Sequence, residues 1–432
     1  MIILGSNLYN KILEQINEIE IIDTHEHIRS QEEINQGPVH LFKVFEKSYA
    51  RRDYNSAGFP QEIWQRQDPK EIWKSFKEFQ KKVSLTTFNR STIRFLHDLY
   101  GLEGEFITED NWIELSEKVK KAYKNKNWYN YVLKKRSKFK ISFLDSFWSV
   151  ERFNYNPKFF IPILRADAMI LGRKYIPPNA DVLYEHTTIE KLSHAWNISL
   201  DDFESYQSIV DIAIQKYKKR GSPAIKIGTA YVRSLYFEKV PRNEAKLIYA
   251  KDPGKITPND QKKLQDYMFH YIIQKATEEK LPVQIHTGIF AKNENIISNG
   301  NPEKLNNLFI EYPHTKFVLF HFSYPYTPQA FSLAKMFPNV VLDFCWVPMI
   351  SINIAKRALN DFLDLIPYNK LMWGGDASRV EEAYSGSCLV REVISSVLVE
   401  RIEKKNINIK RALEIAHAIL HDNALNFYNL SR

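Results

Sequence analysis

Eight short apolar runs, rich in β-branched and aromatic residues, recur along this chain, and most end on polar or ionisable side chains. They span residues 20–25, 140–145, 160–165, 223–227, 282–286, 316–321, 340–344 and 370–376. Between most of them lie segments of helical periodicity, at 200–220, 258–280, 302–312, 327–337 and 352–366. Strand then helix, repeated, argues for an α/β fold of parallel strands joined by crossover helices. Eight units predict a closed (β/α)8 barrel, a TIM barrel, in which functional groups gather at the C-terminal strand ends.

One connection breaks the rhythm. Residues 28–139 separate the first two strands, far beyond the usual βα loop. The segment has helical patterns at 60–82, 91–100 and 108–129, with Trp64, Trp73, Phe76, Trp112 and Trp128. It reads as a helical insertion within a single barrel domain of residues 1–432, emerging on the active-site side, its aromatics forming their own core. Segments 385–404 and 409–429 read as closing helices.

Composition narrows the function classes. The chain has 432 residues, 44% hydrophobic and 26% charged, as in ordinary globular proteins. Its 13% aromatic content is enough to line a deep pocket as well as fill a core. Cys345 and Cys388 are the only cysteines, which excludes a disulfide framework and a Cys-based zinc cluster and fits a reducing compartment. No apolar stretch approaches the ~20 residues that cross a bilayer. The start, Met1 to Gly5, lacks the basic region and apolar length of a signal peptide, so a soluble, cytoplasmic protein is expected, with no membrane partner. The formal charge of +9 suits anionic small molecules as well as nucleic acid. The basic run from Lys134 to Lys140 reads as a solvated helix face, and no nucleic-acid module is recognisable. The expected partner is a small, anionic substrate. Homo-oligomerisation is left open.

The strand ends carry the chemistry. In Asp23-Thr24-His25-Glu26-His27, residues two apart share a strand face, so Asp23, His25 and His27 are expected to project together. Lys226 lies at the end of the fourth run, one residue before its last, and His286 ends the fifth, His321 the sixth and Asp376 the eighth. Three or four imidazoles with a carboxylate suit a catalytic divalent ion, zinc foremost, that keeps a position open for water. Asp376 could bind the ion and also take a proton. Arg29, Arg165, Tyr231, Arg233 and Arg379 stand near strand ends as substrate contacts, because guanidiniums pair with carboxylates in two-pronged fashion. Trp148, Trp346 and Trp373 could wall a pocket, although core packing is the commoner role.

The set Asp23-Thr-His25-Glu-His27, His286, His321 and Trp373-Gly-Gly-Asp376 resembles the amidohydrolase superfamily of metal-dependent TIM barrels. The resemblance covers nearly the whole chain, including the closing segment from Leu420 to Tyr428. The long helical connection and Asp376-Ala-Ser-Arg379 are similar to the uronate isomerase branch, with one residue added to its Asp-Ser-Arg. The resemblance implies metal binding by His25, His27, His286 and Asp376, and catalytic work by Asp376, His286 and His321. It gives Lys226 two readings, a carbamylated bridge between two ions or an amine that meets an anionic substrate; one ion is favoured over two. Uronate isomerases carry an Arg shortly after the fifth-strand His, whereas this chain reads His286-Thr-Gly-Ile-Phe-Ala-Lys292. The leading expectation is therefore a metal-dependent hydrolase, in which metal-activated water attacks a C–N or ester-like bond. The alternative is an isomerase, decarboxylase or lyase acting on a sugar acid at the same site.

Overall fold

The computed structural model describes residues 7–172 and 188–430; the first five residues lie outside them. All eight apolar runs form strand. β1 (Ile21–Glu26), β2 (Phe139–Leu144) and β3 (Phe160–Pro162) make one parallel sheet. β4 (Leu164–Arg165), β5 (Ile225–Ile227), β6 (Val283–Ile285), β7 (Phe317–Leu319), β8 (Val340–Asp343) and β9 (Leu371–Met372) make a second, each parallel to the next. β3 and β4 are one stave interrupted at Ile163, whose N–H still donates to Leu144 O at 3.0 Å. The ring closes between first and last staves: Thr24 N–H donates to Trp373 O (3.3 Å), Asp376 N–H to His25 O (2.7 Å) and His27 N–H to Ala377 O (2.9 Å). The chain is a (β/α)8 barrel, as its periodicity predicts.

The barrel interior is packed solid below the site. Ile22, Phe143, Ile163, Ala224, Val318, Val341 and Met372, from every stave but β6, form one apolar cluster with Tyr428. The Tyr428 hydroxyl accepts from Gln284 Nε2 at 2.9 Å, which ties the closing segment to the barrel floor. Outer helices include Phe203–Lys219, Pro258–Glu278, Thr327–Met336 and Ile352–Leu365. Their starts follow local rules. Pro258 sits at the first turn, where no N–H is needed, and Thr257 and Asp260 cap each other's backbone reciprocally.

The β1–β2 connection is helical, with elements Gln31–Asn35, Leu41–Lys47, Ala50–Ser56, Pro69–Val83, Thr87–Tyr100 and Trp112–Lys124. Its aromatics pack on one another, as expected: Phe76 lies 4.8 Å from both Phe45 and Tyr54, ring to ring. What seats it on the barrel is buried Glu381, on the helix Val380–Glu403. That carboxylate accepts from Tyr100 Oη (2.6 Å), Tyr123 Oη (2.9 Å) and Trp128 Nε1 (3.2 Å). A buried carboxylate with three donors is well satisfied and fixes orientation. In the basic run, Arg136 is tied to Tyr131 and Tyr384, and Lys138 pairs with Glu18. No helix among the described residues is long and apolar enough to cross a membrane.

Candidate active site

β1 does not run with simple alternation. Its register against β2 shifts between Asp23 and Glu26, so the expected common face of Asp23, His25 and His27 is only partly realised. The Asp23 carboxylate turns away, accepting from Ser142 Oγ and from Gly375 N at 2.9 Å. It braces β1 against its two neighbours and is not among the clustered donors.

His25 and His27 do meet, and Asp376 joins them. Their Nε2 atoms lie 3.2 Å apart; Asp376 Oδ1 is 3.2 Å from that of His27 and 3.8 Å from that of His25. Donors held about 2.0–2.2 Å from one tetrahedral ion stand about 3.3–3.6 Å apart, so the triangle has the right size. Its chemistry also fits. His27 Nδ1 faces Asp145 O at 2.9 Å; a carbonyl only accepts, so in the neutral ring the lone pair is on Nε2, aimed at the Asp376 oxygen.

The same conflict recurs next door. His286 Nε2 donates to Ile289 O (2.9 Å) and His321 Nδ1 to Cys345 O (3.1 Å). In the neutral rings that leaves His286 Nδ1 and His321 Nε2 as lone pairs 3.1 Å apart, with Asp376 Oδ2 3.5 Å from the latter. Burial, then the Lys226 ammonium, holds His25 well below the ordinary imidazole range. Burial and neighbouring His321 do the same to His286, and burial brings His321 to about 4. For Asp376, burial pushes upward, but the hydrogen bond and charge that a protonated His27 supplies outweigh it and leave the carboxyl below its usual range, so the contact is relieved by a proton or by a cation. Facing lone pairs around a carboxylate call for a cation.

Close approach of the last stave makes this possible. A Cβ on Gly374 would fall 2.6 Å from His25 N, and one on Gly375 1.9 Å from Glu26 Oε1. Asp376 then adopts φ 55°, a region where Asp is among the more tolerated residues. Gly374→Ala is expected to pry the loop from β1. Overpacking costs about 1–3 kcal/mol, so calorimetry should show a melting temperature several degrees lower, with weaker metal retention.

A cavity of 680 Å³ opens above the centre, with His27, Lys226, His286 and Asp376 in its lining. Arg29, Arg165, Tyr231 and Arg379 also line it. Arg165 is held by Asp145 (2.5 Å) and by Asp167. Arg29 lies 4.5 Å over the Trp148 ring. Tyr231 packs 4.7 Å from His286, and Arg379 contacts Tyr123 Oη at 3.2 Å. Lys226 is buried, its Nζ without a hydrogen-bond partner and 3.2 Å from the centre of the Phe320 ring; burial lowers it to about 8. Arg233 does not join them. The short helical turn Thr229–Tyr231 sends the chain outward, and Arg233 pairs with Gln265 (3.0 Å) and Asp266 (2.5 Å) on the helix Pro258–Glu278.

Sequence reasoning passed over Asp145 and Tyr49. Asp145 ends the second apolar run as His25 ends the first, so the strand-end signal was there to find it. Tyr49 hydrogen-bonds Asp376 O at 2.5 Å and packs 4.7 Å from Trp346; nothing in its local sequence marks it.

Residues 251–430 match the family model described as Amidohydrolase. The protein fluG of Emericella nidulans is 31% identical over 179 residues, 40% of this chain and 21% of that protein, so the chain spans about a fifth of that relative's length. Among solved structures, the uronate isomerase of Thermotoga maritima superposes with a TM-score of 0.80 at 17% identity, over 99% of this chain and 100% of the other. The glucuronate isomerase of Caulobacter crescentus gives 0.78 at 14% identity, over 98% and 94%. The chain thus carries an amidohydrolase match over residues 251–430 on a barrel whose whole architecture is that of the uronate isomerases.

Proposed function

We propose that this protein is a metal-dependent hydrolase of a small anionic molecule, cleaving a C–N or ester-like bond. The observation that carries the reading is the convergence of imidazole lone pairs on Asp376 at the floor of a cavity walled by cations. His25, His27 and Asp376 would hold a divalent ion, zinc by donor type, with His286 alongside. Such an ion supplies Lewis acidity, which acidifies water and polarises a carbonyl.

The chain's own groups do the rest. Asp376, kept ionised by its neighbours, accepts a proton and returns it to the leaving group. His286 lines the cavity, its ring held by the bond to Ile289 O, and would contact the scissile group, whereas His321 is fully buried behind it. Arg165, fixed between two carboxylates, presents a rigid guanidinium to an anionic substrate. Lys226 is read as a free amine facing the substrate. The two free cysteines fit a reducing, cytoplasmic setting.

A second reading, isomerisation of a sugar acid, draws on the whole-chain likeness to uronate isomerases. Turnover in 18O-enriched water separates the two. A panel of N-acyl compounds, lactones and uronates is expected to give one product carrying solvent oxygen. Turnover of a uronate with no solvent oxygen retained beyond carbonyl exchange would overturn hydrolysis.

A further inference from the structure

The cavity wall contributed by the β1–β2 connection holds two guanidiniums that form no ion pair with a described carboxylate. Arg51 and Arg52 are consecutive on the helix Ala50–Ser56, both half-buried and both lining the cavity. The Nε atom of each is shielded from solvent and lacks a hydrogen-bond partner, and neither side chain makes an ion pair among the described residues. Three other cations of the same cavity are neutralised in place. Lys43 and Lys47 both reach Glu46, at 2.5 and 3.0 Å, and Arg165 reaches Asp145. Burial, and then Arg51 itself, pulls Arg52 below its ordinary value.

Two like charges side by side on a partly dehydrated wall are costly unless an anion completes them. Paired guanidiniums offer several donors in fixed planes, the arrangement that suits phosphate or carboxylate oxygens. Their position is informative too. Arg51, Arg52 and Tyr231 line the same cavity, and Tyr231 packs on His286 at 4.7 Å, ring to ring. The pair therefore shares one cavity with the imidazole centre.

We propose that Arg51 and Arg52 form an anion subsite separate from the imidazole–carboxylate centre, so that the substrate carries a second anionic group besides the part that reacts. This rests on the reading of the cavity as the substrate site. The subsite acts as a selector. It rewards substrates long enough to place a phosphate or carboxylate on the connection while the reactive bond lies over Asp376.

Calorimetric titration at low ionic strength tests it, with inorganic phosphate in one arm and malonate in the other. Chelator-stripped protein is used so that no bound ion captures the anion. Wild type is expected to bind at least one probe, and the tighter arm identifies the group. Arg51→Gln/Arg52→Gln should weaken that binding at least tenfold, and Arg51→Lys/Arg52→Lys should restore part of it, with circular dichroism unchanged in each. No binding of either probe by wild type, or equal binding by the Gln variant, overturns the subsite. No turnover is read, so failure of the 18O experiment leaves this result standing, and the converse holds.

Discussion

Exchanging His25 and His27 together for asparagine is expected to reduce the metal-to-chain ratio of purified protein to near zero and to remove turnover beyond detection. The expectation follows from donor geometry. The two Nε2 atoms lie 3.2 Å apart, and His27 is aimed by a bond from Nδ1 to Asp145 O. Losing such an outer partner alone typically costs 10–100-fold in metal affinity or activity, and losing both inner donors costs more. The rings also fill space, His25 edge-on to Phe320 at 4.8 Å and His27 to Phe147 at 5.2 Å. Melting temperature must therefore be measured beside elemental analysis, to separate lost ligation from lost packing. A folded double variant that keeps the ion at the wild-type ratio would remove these residues from the centre.

The barrel was legible because its signal repeats. Eight runs, each too weak alone, agree on one architecture, and the structure supplies a stave for every run. The candidate site was legible for a related reason: His25, Lys226, His286, His321 and Asp376 each lie at or next to the end of a run, and a barrel brings such ends together. What the sequence did not carry is local geometry. The register shift at Asp23 reverses the duty of a carboxylate that alternation would have placed beside the histidines. Positive φ at His321 (64°), Trp346 (64°) and Asp376 (55°) shows that the chain leaves the strand before presenting these side chains. Turns of that kind depend on tertiary contacts, such as Gly374 against β1, and not on residue pattern. Arg233 failed for the same reason: a short turn after β5 redirected it toward Asp266. Arg51 and Arg52 lay in the long connection ahead of its first helical pattern at 60–82, and nothing in their sequence marks them as meeting the cavity.

Asp376→Asn isolates the proton-carrying role from the structural one. Its backbone is fixed on both sides, by its N–H to His25 O at 2.7 Å and by Tyr49 Oη to its carbonyl at 2.5 Å. Asparagine is nearly isosteric and, like aspartate, tolerates positive φ, so the turn should survive. The charge does not survive. In the native side chain Oδ1 faces His27 and His25 while Oδ2 faces His321; an amide can neither take up a proton at neutral pH nor balance a cation. Positioned acid–base groups contribute about 10²- to 10⁴-fold, equivalent to about 3–5 kcal/mol of barrier. Turnover should fall by that factor, while His25 and His27 keep most of the metal and the melting temperature moves little. The three readouts discriminate. Activity within tenfold of wild type would strip Asp376 of its proton-transfer role. Metal lost in step with activity would make it a ligand first, and the proton would then have to pass through another ionisable group of the cavity lining, His286 or Lys226.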